Sequence, residues 1–162
     1  MIEAEFTKIY EEYADAIFKY CFFRANCNRE LAKDLMQETF TKTWNYLARG
    51  KTIDNNKAFL YKVATNLIIN FSQKKKDVSL DMLREEGFEP GFDDRESLDN
   101  FIAGKKALEM LDNLDPKYSE VILMRYIQDL LPKEIAEILG ENSNVVSVRI
   151  NRALKKLKEL IE

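Results

Sequence analysis

The last helix-forming segment of the sequence is rich in side chains that bind polyanions. Residues 142–158 contain no Asp or Glu and five basic residues, Arg149, Arg152, Lys155, Lys156 and Lys158. The whole chain carries a formal net charge of −3, so this basic character is local. Arginine and asparagine form paired hydrogen bonds to guanine and adenine edges, and lysine neutralises phosphate. The segment therefore indicates a surface that binds a polyanion.

The elements that must position this segment are predicted to form a helix-turn-helix. Pro132 opens a short helix with Ile135, Ile138 and Leu139 on its inner face, and Gly140 is expected to end it in a left-handed conformation. The sequence ENSN then makes a tight connection, and the small residue Ala136 permits a close crossing of the two helices.

The second helix of the pair is expected to bury five apolar residues at helical spacing, Val146, Ile150, Ala153, Leu154 and Leu157. That arrangement leaves six polar side chains on the flanks and outer face, Ser147, Arg149, Asn151, Arg152, Lys155 and Lys156. A basic last turn also complements a helix dipole and keeps a helix soluble. Three features favour DNA binding over that interpretation: the short preceding helix, the glycine that ends it and the small residue at the crossing.

Charge divides the chain into three blocks. Residues 1–76 hold 13 Lys/Arg against 9 Asp/Glu (+4), residues 77–99 hold 2 against 9 (−7), and residues 100–162 hold 10 against 10. Two glycines and a proline lie among the acidic residues of the middle block, which is typical of a linker. We predict an all-α chain with two small helical domains, residues 1–76 and 105–162, joined by an acidic linker at residues 77–104. The second domain contains the helix-turn-helix.

Three amphipathic helices are predicted in the first domain. The first carries an apolar stripe of Phe6, Ile9, Tyr10, Tyr13, Ile17, Tyr20 and Cys21. The second is capped by Asn26 or Asn28 and has Leu31, Leu35, Thr39, Thr43 and Leu47 on one side. A loop at residues 48–56 leads to the third helix, which runs from near Lys57 to about Gln73.

In the second domain, Asp115 and Pro116 start a helix that is expected to bury Val121, Ile122 and Tyr126 or their neighbours.

Several classes of function are excluded or disfavoured by composition. The chain contains no His, which rules out His-based catalysis and His–metal ligation. Its two cysteines, Cys21 and Cys27, are interpreted as small apolar residues and not as a redox pair. No segment has the length of uninterrupted apolar sequence that a membrane span requires, and the N-terminus does not resemble a signal peptide. We therefore expect a cytoplasmic protein with no membrane insertion, no metal, no cofactor and no enzyme active site.

Longer segments of the sequence resemble a known family. LDNLDPKYSEVILMRYIQDLLPKEIAEILGENSNVVSVRINRALKKL resembles the fourth conserved region of bacterial RNA polymerase sigma factors of the extracytoplasmic-function (ECF) type. DLMQETFTKTW, followed by FLYKVATNLIINF, resembles the second conserved region of the same family. The resemblance implies a transcription initiation factor that binds core RNA polymerase and directs it to specific promoters. Such a factor reads the minus-thirty-five element as duplex and the minus-ten element as a melted strand.

The resemblance also implies roles for individual residues. The family's DLxQE helix docks on the clamp helices of the largest polymerase subunit, and it matches Asp34, Leu35, Gln37 and Glu38. Recognition of the minus-ten element is implied for Phe59, Tyr61, Lys62, Asn66, Lys74 and Lys75, together with the loop at residues 49–57. Their residue types favour core packing for the two aromatic residues and base contact for Asn66, because asparagine is a poor helix former. Recognition of the minus-thirty-five element is implied for Ser147, Arg149, Asn151, Arg152, Lys155 and Lys156.

Four positions depart from the family pattern. Phe59 stands in place of the usual Trp, Lys62 in place of Arg, Pro132 in place of Ser or Thr, and Val145 in place of Thr. These departures leave the promoter sequence unpredicted.

The family further implies an anti-sigma factor as a partner acting in trans. Two alternatives are a stand-alone helix-turn-helix regulator and a helical adaptor whose basic helix binds an acidic partner. The regulator alternative leaves DLMQETF unexplained.

Overall fold

The computed structural model of the chain describes residues 1–75, 109–111 and 113–161. All regular secondary structure in these ranges is helical, as predicted. The chain divides into two compact units between Gly87 and Phe88, and each unit is described by itself. The predicted linker lies outside the described residues. No helix among those described is both long enough and apolar enough to cross a membrane.

Within residues 1–75, the N-terminal unit contains three helices, α1 (Ile2–Arg24), α2 (Arg29–Ala48) and α3 (Asn56–Lys75). Of the two caps predicted for α2, Asn28 is the one used, because its Oδ1 accepts a hydrogen bond from the Leu31 amide at 3.1 Å. The loop after α2 ends at Asn55, whose Oδ1 accepts from the Ala58 amide at 3.1 Å. These local side-chain contacts set where the helices begin.

The core of the N-terminal unit contains most of the predicted apolar residues of α1 and α2, together with Leu60, Tyr61, Ala64 and Ile68 of α3, but not Tyr10 of the α1 stripe, which is 41% exposed. Its center contains Tyr20, whose hydroxyl hydrogen-bonds the Thr65 hydroxyl at 2.9 Å and whose ring meets Tyr61 edge-on at 5.2 Å. Thr39 and Thr43, also buried, donate to backbone carbonyls one turn earlier at 2.7 and 2.8 Å. The buried hydroxyls of Tyr20, Thr39, Thr43 and Thr65 are therefore paired, as burial requires.

The two cysteines are free thiols and both are buried. Burial without a compensating charge raises the pKa of Cys21 to about 12, because the thiolate loses its hydration. A thiol that stays protonated at neutral pH is a poor nucleophile and a poor metal ligand. This agrees with the interpretation of Cys21 as a small apolar residue.

The C-terminal unit contains α4 (Pro116–Ile122), which continues into a π-helical stretch at Leu123–Ile127. Asp115 caps α4, as its side chain accepts from the Lys117 amide at 3.2 Å. Of the residues expected to be buried in this helix, Val121 and Ile122 are buried, whereas Tyr126 is 52% exposed. The preceding residues Val121, Ile122, Leu123 and Met124 are all buried, so at this point burial extends around most of the helix and not along one face.

The helix-turn-helix is formed by α5 (Pro132–Leu139) and α6 (Ser143–Ile161). Gly140 ends α5 with φ +68°, a left-handed conformation that residues with a Cβ rarely adopt. Nothing lies within 4 Å of the position a Cβ would take there, so the glycine serves the backbone conformation and not a close approach. Ala136, the small residue predicted to permit a close crossing of the two helices, is buried. The predicted inner face of α6 is confirmed at Val146, Ile150 and Ala153, which are buried.

Candidate nucleic-acid and polymerase interfaces

The predicted DNA-contact residues occupy two edges of the exposed surface of α6. At about 100° per residue, Arg149, Arg152 and Lys156 lie within about 60° of one another on the edge that faces α4. Ser147 and Asn151 lie about 160–200° from Arg149, on the opposite edge. Lys155 lies between the two edges, so the six residues form a band and not a single row.

A cleft of about 390 Å³ separates the first edge of α6 from α4. Its lining contains three basic residues and no acidic one: Lys117, Tyr118, Asn144, Val145, Val148, Arg149 and Arg152. Val145 and Val148 are both exposed, so neither is used in the core and both can make apolar contacts with a ligand. The cleft combines cationic, polar and apolar groups of the kind that meet a nucleic-acid groove.

The contribution of α4 to this surface was not predicted from the sequence. The Tyr118 ring has Lys117 Nζ at 5.1 Å and Lys156 Nζ at 5.8 Å from its centroid. Both distances are within the range of a cation–π interaction. Periodicity within one helix does not reveal such a cluster, because it arises only where α4 packs against α6.

The first arginine of α6 is held by an acidic residue of the helix-turn-helix connection. Arg149 Nη2 lies 2.8 Å from Glu141 Oε2 and 3.0 Å from Oε1. The side chains of Arg149 and Glu141 are 20% and 34% exposed, respectively. The sequence indicated only that Glu141 belongs to the tight turn, so this ion pair is a finding of the structure.

The predicted polymerase-binding residues of α2 are divided by burial. Asp34, Gln37 and Glu38 are exposed and lie at helical spacings of three and four, which places them on one face. Leu35 is only 6% exposed and belongs to the core beneath them. The motif therefore combines three surface groups with one residue that holds the helix in place.

An aromatic groove of about 370 Å³ runs beside that face, between α1 and α2. It is lined by Phe6, Tyr10, Gln37, Phe40, Thr41 and Trp44. The rings of Phe6 and Trp44 meet edge-on at 5.2 Å, and those of Tyr10 and Phe40 at 4.9 Å. The sequence predicts Phe6 and Tyr10 only as members of the apolar stripe of α1. The adjacency of Gln37 to the groove is visible only once α1 and α2 are packed.

The predicted minus-ten residues of α3 are also divided by burial. Lys62 and Asn66 are exposed and lie one turn apart on the same face. Tyr61 is 2% exposed and belongs to the core. Lys74 and Lys75 lie in the last turn of α3, but their side chains fall outside the described part of the chain.

A residue that the sequence did not indicate connects this face to the preceding loop. Tyr46, near the end of α2, packs against the half-buried Phe59 with 4.8 Å between ring centroids. Lys51, in the loop, places its Nζ 5.3 Å from the centroid of the Tyr46 ring. Tyr46 therefore contacts both the loop, through Lys51, and the start of α3, through Phe59.

No three His, Cys, Asp or Glu side chains in the described ranges converge in a way that would hold a metal ion.

Comparisons with known proteins match both units. Residues 9–78 match the family described as Sigma-70 region 2, and residues 105–157 match Sigma-70, region 4. The chain is 31% identical over 138 residues to RNA polymerase sigma factor SigV of Bacillus subtilis, a match that covers 81% of this chain and 76% of SigV. It is 30% identical over 167 residues to ECF RNA polymerase sigma factor SigW of the same organism, covering 95% of this chain and 87% of SigW.

The fold is also that of a solved sigma factor. RpoE from Bartonella quintana, crystallised with the anti-sigma factor NepR, superposes with a TM-score of 0.73 at 18% identity. The match covers 97% of this chain and 96% of RpoE. With both conserved regions matched in order and relatives at 30% identity or more over most of its length, the chain belongs to the sigma-70 family, among the ECF-type sigma factors that direct RNA polymerase.

Proposed function

We propose that this ECF sigma factor reads the minus-thirty-five element as duplex DNA through α6 and the minus-ten element as a melted strand through α3. Sigma factors are transcription initiation factors and not enzymes, so bond formation belongs to core polymerase. The observation that carries the proposal is the exposed surface of α6, where basic and amide side chains form a band free of acidic residues from 142 to 158.

Within the C-terminal unit, α6 is the helix that enters the major groove. Arg152, Asn151 and Lys155 are exposed on its outer surface. Arg152 can donate two hydrogen bonds to a guanine edge, and Asn151 can both donate to and accept from an adenine edge. Lys155 and Lys156 suit phosphates. Ser147 is half-buried at the far edge, where a hydroxyl can donate to a phosphate.

Within the N-terminal unit, Asp34, Gln37 and Glu38 are the proposed contacts with core polymerase. Two carboxylates and an amide on one exposed face complement a basic coiled coil, such as the clamp helices that the family uses. Leu35 supports this face from the core and does not itself contact the polymerase. The adjoining aromatic groove gives the face an apolar border, which suits a protein partner.

The melted minus-ten strand is proposed to lie along the loop after α2 and the exposed face of α3. Asn66 reads a base edge, while Lys62, with Lys74 and Lys75 further along α3, follows the backbone. Phe59 and Tyr61 shape the pocket from below, since the first is half-buried against Tyr46 and the second is in the core.

The domain organisation follows from these roles. Residues 1–76 form the domain for polymerase and the minus-ten element, residues 105–162 the domain for the minus-thirty-five element, and residues 77–104 the acidic connection. A regulatory partner is also proposed, because RpoE, whose fold this chain shares, was solved with an anti-sigma factor. Such a partner would act in the cytoplasm by covering the polymerase-binding face.

Run-off transcription with core polymerase tests the proposal. A promoter selected from a randomised library with the holoenzyme should give a discrete transcript only when both core and this chain are present. The free chain should retard the same promoter weakly, because affinity grows with the number of phosphates neutralised and its C-terminal block is neutral overall. Tight, sequence-specific binding by the free chain, without association with core, would instead favour the stand-alone regulator.

Asn66→Ala is expected to lower promoter opening by roughly tenfold while leaving core binding near wild type, since one base-edge contact contributes about 1–3 kcal/mol. Permanganate reactivity of minus-ten thymines measures the opening, and co-elution with core measures the binding. Asn70→Ala is the matched control, because Asn70 is also exposed but lies one turn, or about 6 Å, further from the loop. If Asn66→Ala transcribes like wild type on its own promoter, the assignment of the base pocket is wrong.

A further inference from the structure

We propose that Glu141 determines the promoter selectivity of this sigma factor by holding Arg149, and that it suppresses binding to unrelated DNA. The inference rests on the proposed role of α6 in reading duplex DNA. It concerns a residue of the helix-turn-helix connection that the proposed DNA contacts do not include. Glu141 is a positioning residue, because it acts through the arginine and not by reading a base.

The backbone around Glu141 fixes where its carboxylate can reach. Gly140 turns the chain in a left-handed conformation, and the Glu141 amide then donates to the Ala136 carbonyl at 2.9 Å. The next residue, Asn142, accepts from the Asn144 amide at 2.8 Å and starts α6. With hydrogen bonds on both sides of it, Glu141 is held at the start of the recognition helix, close to where DNA phosphates would pass.

The geometry of the ion pair leaves part of the arginine available. Both close contacts, at 2.8 and 3.0 Å, use the same guanidinium nitrogen, Nη2 of Arg149. The guanidinium also has N–H groups on Nη1 and Nε, in the same plane. Arg149 lines the cleft beside α4 while Glu141 does not. The carboxylate thus anchors one end of the guanidinium, and the other end remains available to an acceptor of the DNA.

This arrangement affects specific and non-specific binding in opposite directions. An arginine whose rotamer is fixed in advance loses less entropy when it meets a correctly placed base acceptor. The same arginine attracts phosphates less, because its charge is balanced by a carboxylate that itself repels them. Glu141 therefore favours sequences that place an acceptor within reach of the fixed guanidinium, and it disfavours contact with any duplex through charge alone.

Glu141→Gln in the holoenzyme tests this inference. Removing one negative charge beside the phosphates should make the slope of log affinity against log salt steeper by about 0.9 for unrelated duplex. We expect affinity for unrelated duplex to rise by about three- to tenfold at low salt and the preference for the selected promoter to fall by a similar factor. Fluorescence anisotropy with labelled promoter and unrelated duplexes, over a salt series, measures both quantities.

Three comparisons make the result decisive. Glu109→Gln changes the net charge equally at an exposed position of the same unit, and it should leave the preference unchanged. Glu141→Ser should shift both quantities in the same direction as Glu141→Gln. In an Arg149→Ala background, Glu141→Gln should no longer alter the preference, because the residue through which it acts is gone.

The role of Glu141 would be overturned if Glu141→Gln had the same promoter preference as the wild type. It would also be overturned if Glu141→Gln changed the promoter preference equally in the presence and in the absence of Arg149. A wild-type holoenzyme with no promoter preference at all would contradict the proposed function instead. The two failures are therefore distinguished by the reference measurement on the wild-type holoenzyme.

Discussion

Glu38→Lys is expected to weaken the association of this chain with core polymerase by about a hundredfold or more. Glu38 lies on the exposed face of α2 with Asp34 and Gln37, and the proposed partner is a basic coiled coil. A like charge placed opposite such a surface costs several kcal/mol, in addition to the loss of the original attraction. Size-exclusion co-elution or a competition assay against a labelled wild-type chain measures the change, and run-off transcription should fall in parallel.

The matched control for this substitution is Asp15→Lys. Asp15 is an exposed acidic residue on α1 of the same unit, about 180° around that helix from Phe6, which borders the aromatic groove. It undergoes the same change of two charge units, so it reports any effect of net charge on association. Equal weakening by Asp15→Lys and Glu38→Lys, or none by either, would contradict the assignment of the α2 face. Unchanged thermal unfolding of both variants excludes a loss of folding as the cause.

The helices of the fold could be predicted because their signals are local. The apolar residues of α2 recur about one turn apart, and this spacing alone predicts which side chains of the helix face the core. The signals that end a helix are local as well, since Gly140 adopts the left-handed conformation that was expected at the end of α5. Where two residues offered the same chemistry, as Asn26 and Asn28 did for the cap of α2, only the backbone conformation decided between them. Asn26 has φ +54° in the turn, and Asn28 makes the capping bond.

The family motif alone does not divide its residues into surface and core, but helical periodicity and residue type correctly assigned Leu35 and Tyr61 to the core. Asp34 and Leu35 are neighbours in the sequence and both match the same family motif. One helical step of about 100° nevertheless separates an exposed carboxylate from a buried side chain. Tyr61 and Lys62 on α3 differ in the same way. A motif identifies a helix that matters for function, whereas its burial pattern identifies which of its side chains are available to a partner.

Features that depend on packing between helices were beyond prediction. The aromatic groove requires α1 beside α2, and the cationic cleft requires α4 beside α6. The exposure of Tyr126 and the burial of four consecutive residues, 121–124, depart from the one-sided pattern that helical periodicity predicts. The pairing of Glu141 with Arg149 spans a turn and two helical turns of α6, a separation at which sequence alone gives no partner.

Arg152→Ala is expected to lower the affinity of the holoenzyme for the upstream element by roughly tenfold or more, since a base-reading arginine contributes about 1–3 kcal/mol. Unlike Arg149, Arg152 has no ion pair among the described contacts and is exposed at the cleft. Its planar guanidinium group is therefore available to donate two hydrogen bonds to one guanine. Binding of holoenzyme to promoter duplexes with single substitutions in the upstream element measures both the affinity and the base at which selectivity relaxes.

Two further variants separate base reading from attraction to phosphate at this position. Arg152→Lys keeps the charge but loses the planar pair of donors, so it should relax selectivity almost as much as alanine while losing less affinity for unrelated DNA. Lys158→Ala removes an exposed cation from the same acid-free segment, about 120° around α6 from Arg152, and should weaken binding slightly and uniformly across sequences. If Arg152→Lys instead restores wild-type selectivity, Arg152 contacts phosphate, and sequence reading belongs to the opposite edge of α6, where Asn151 lies.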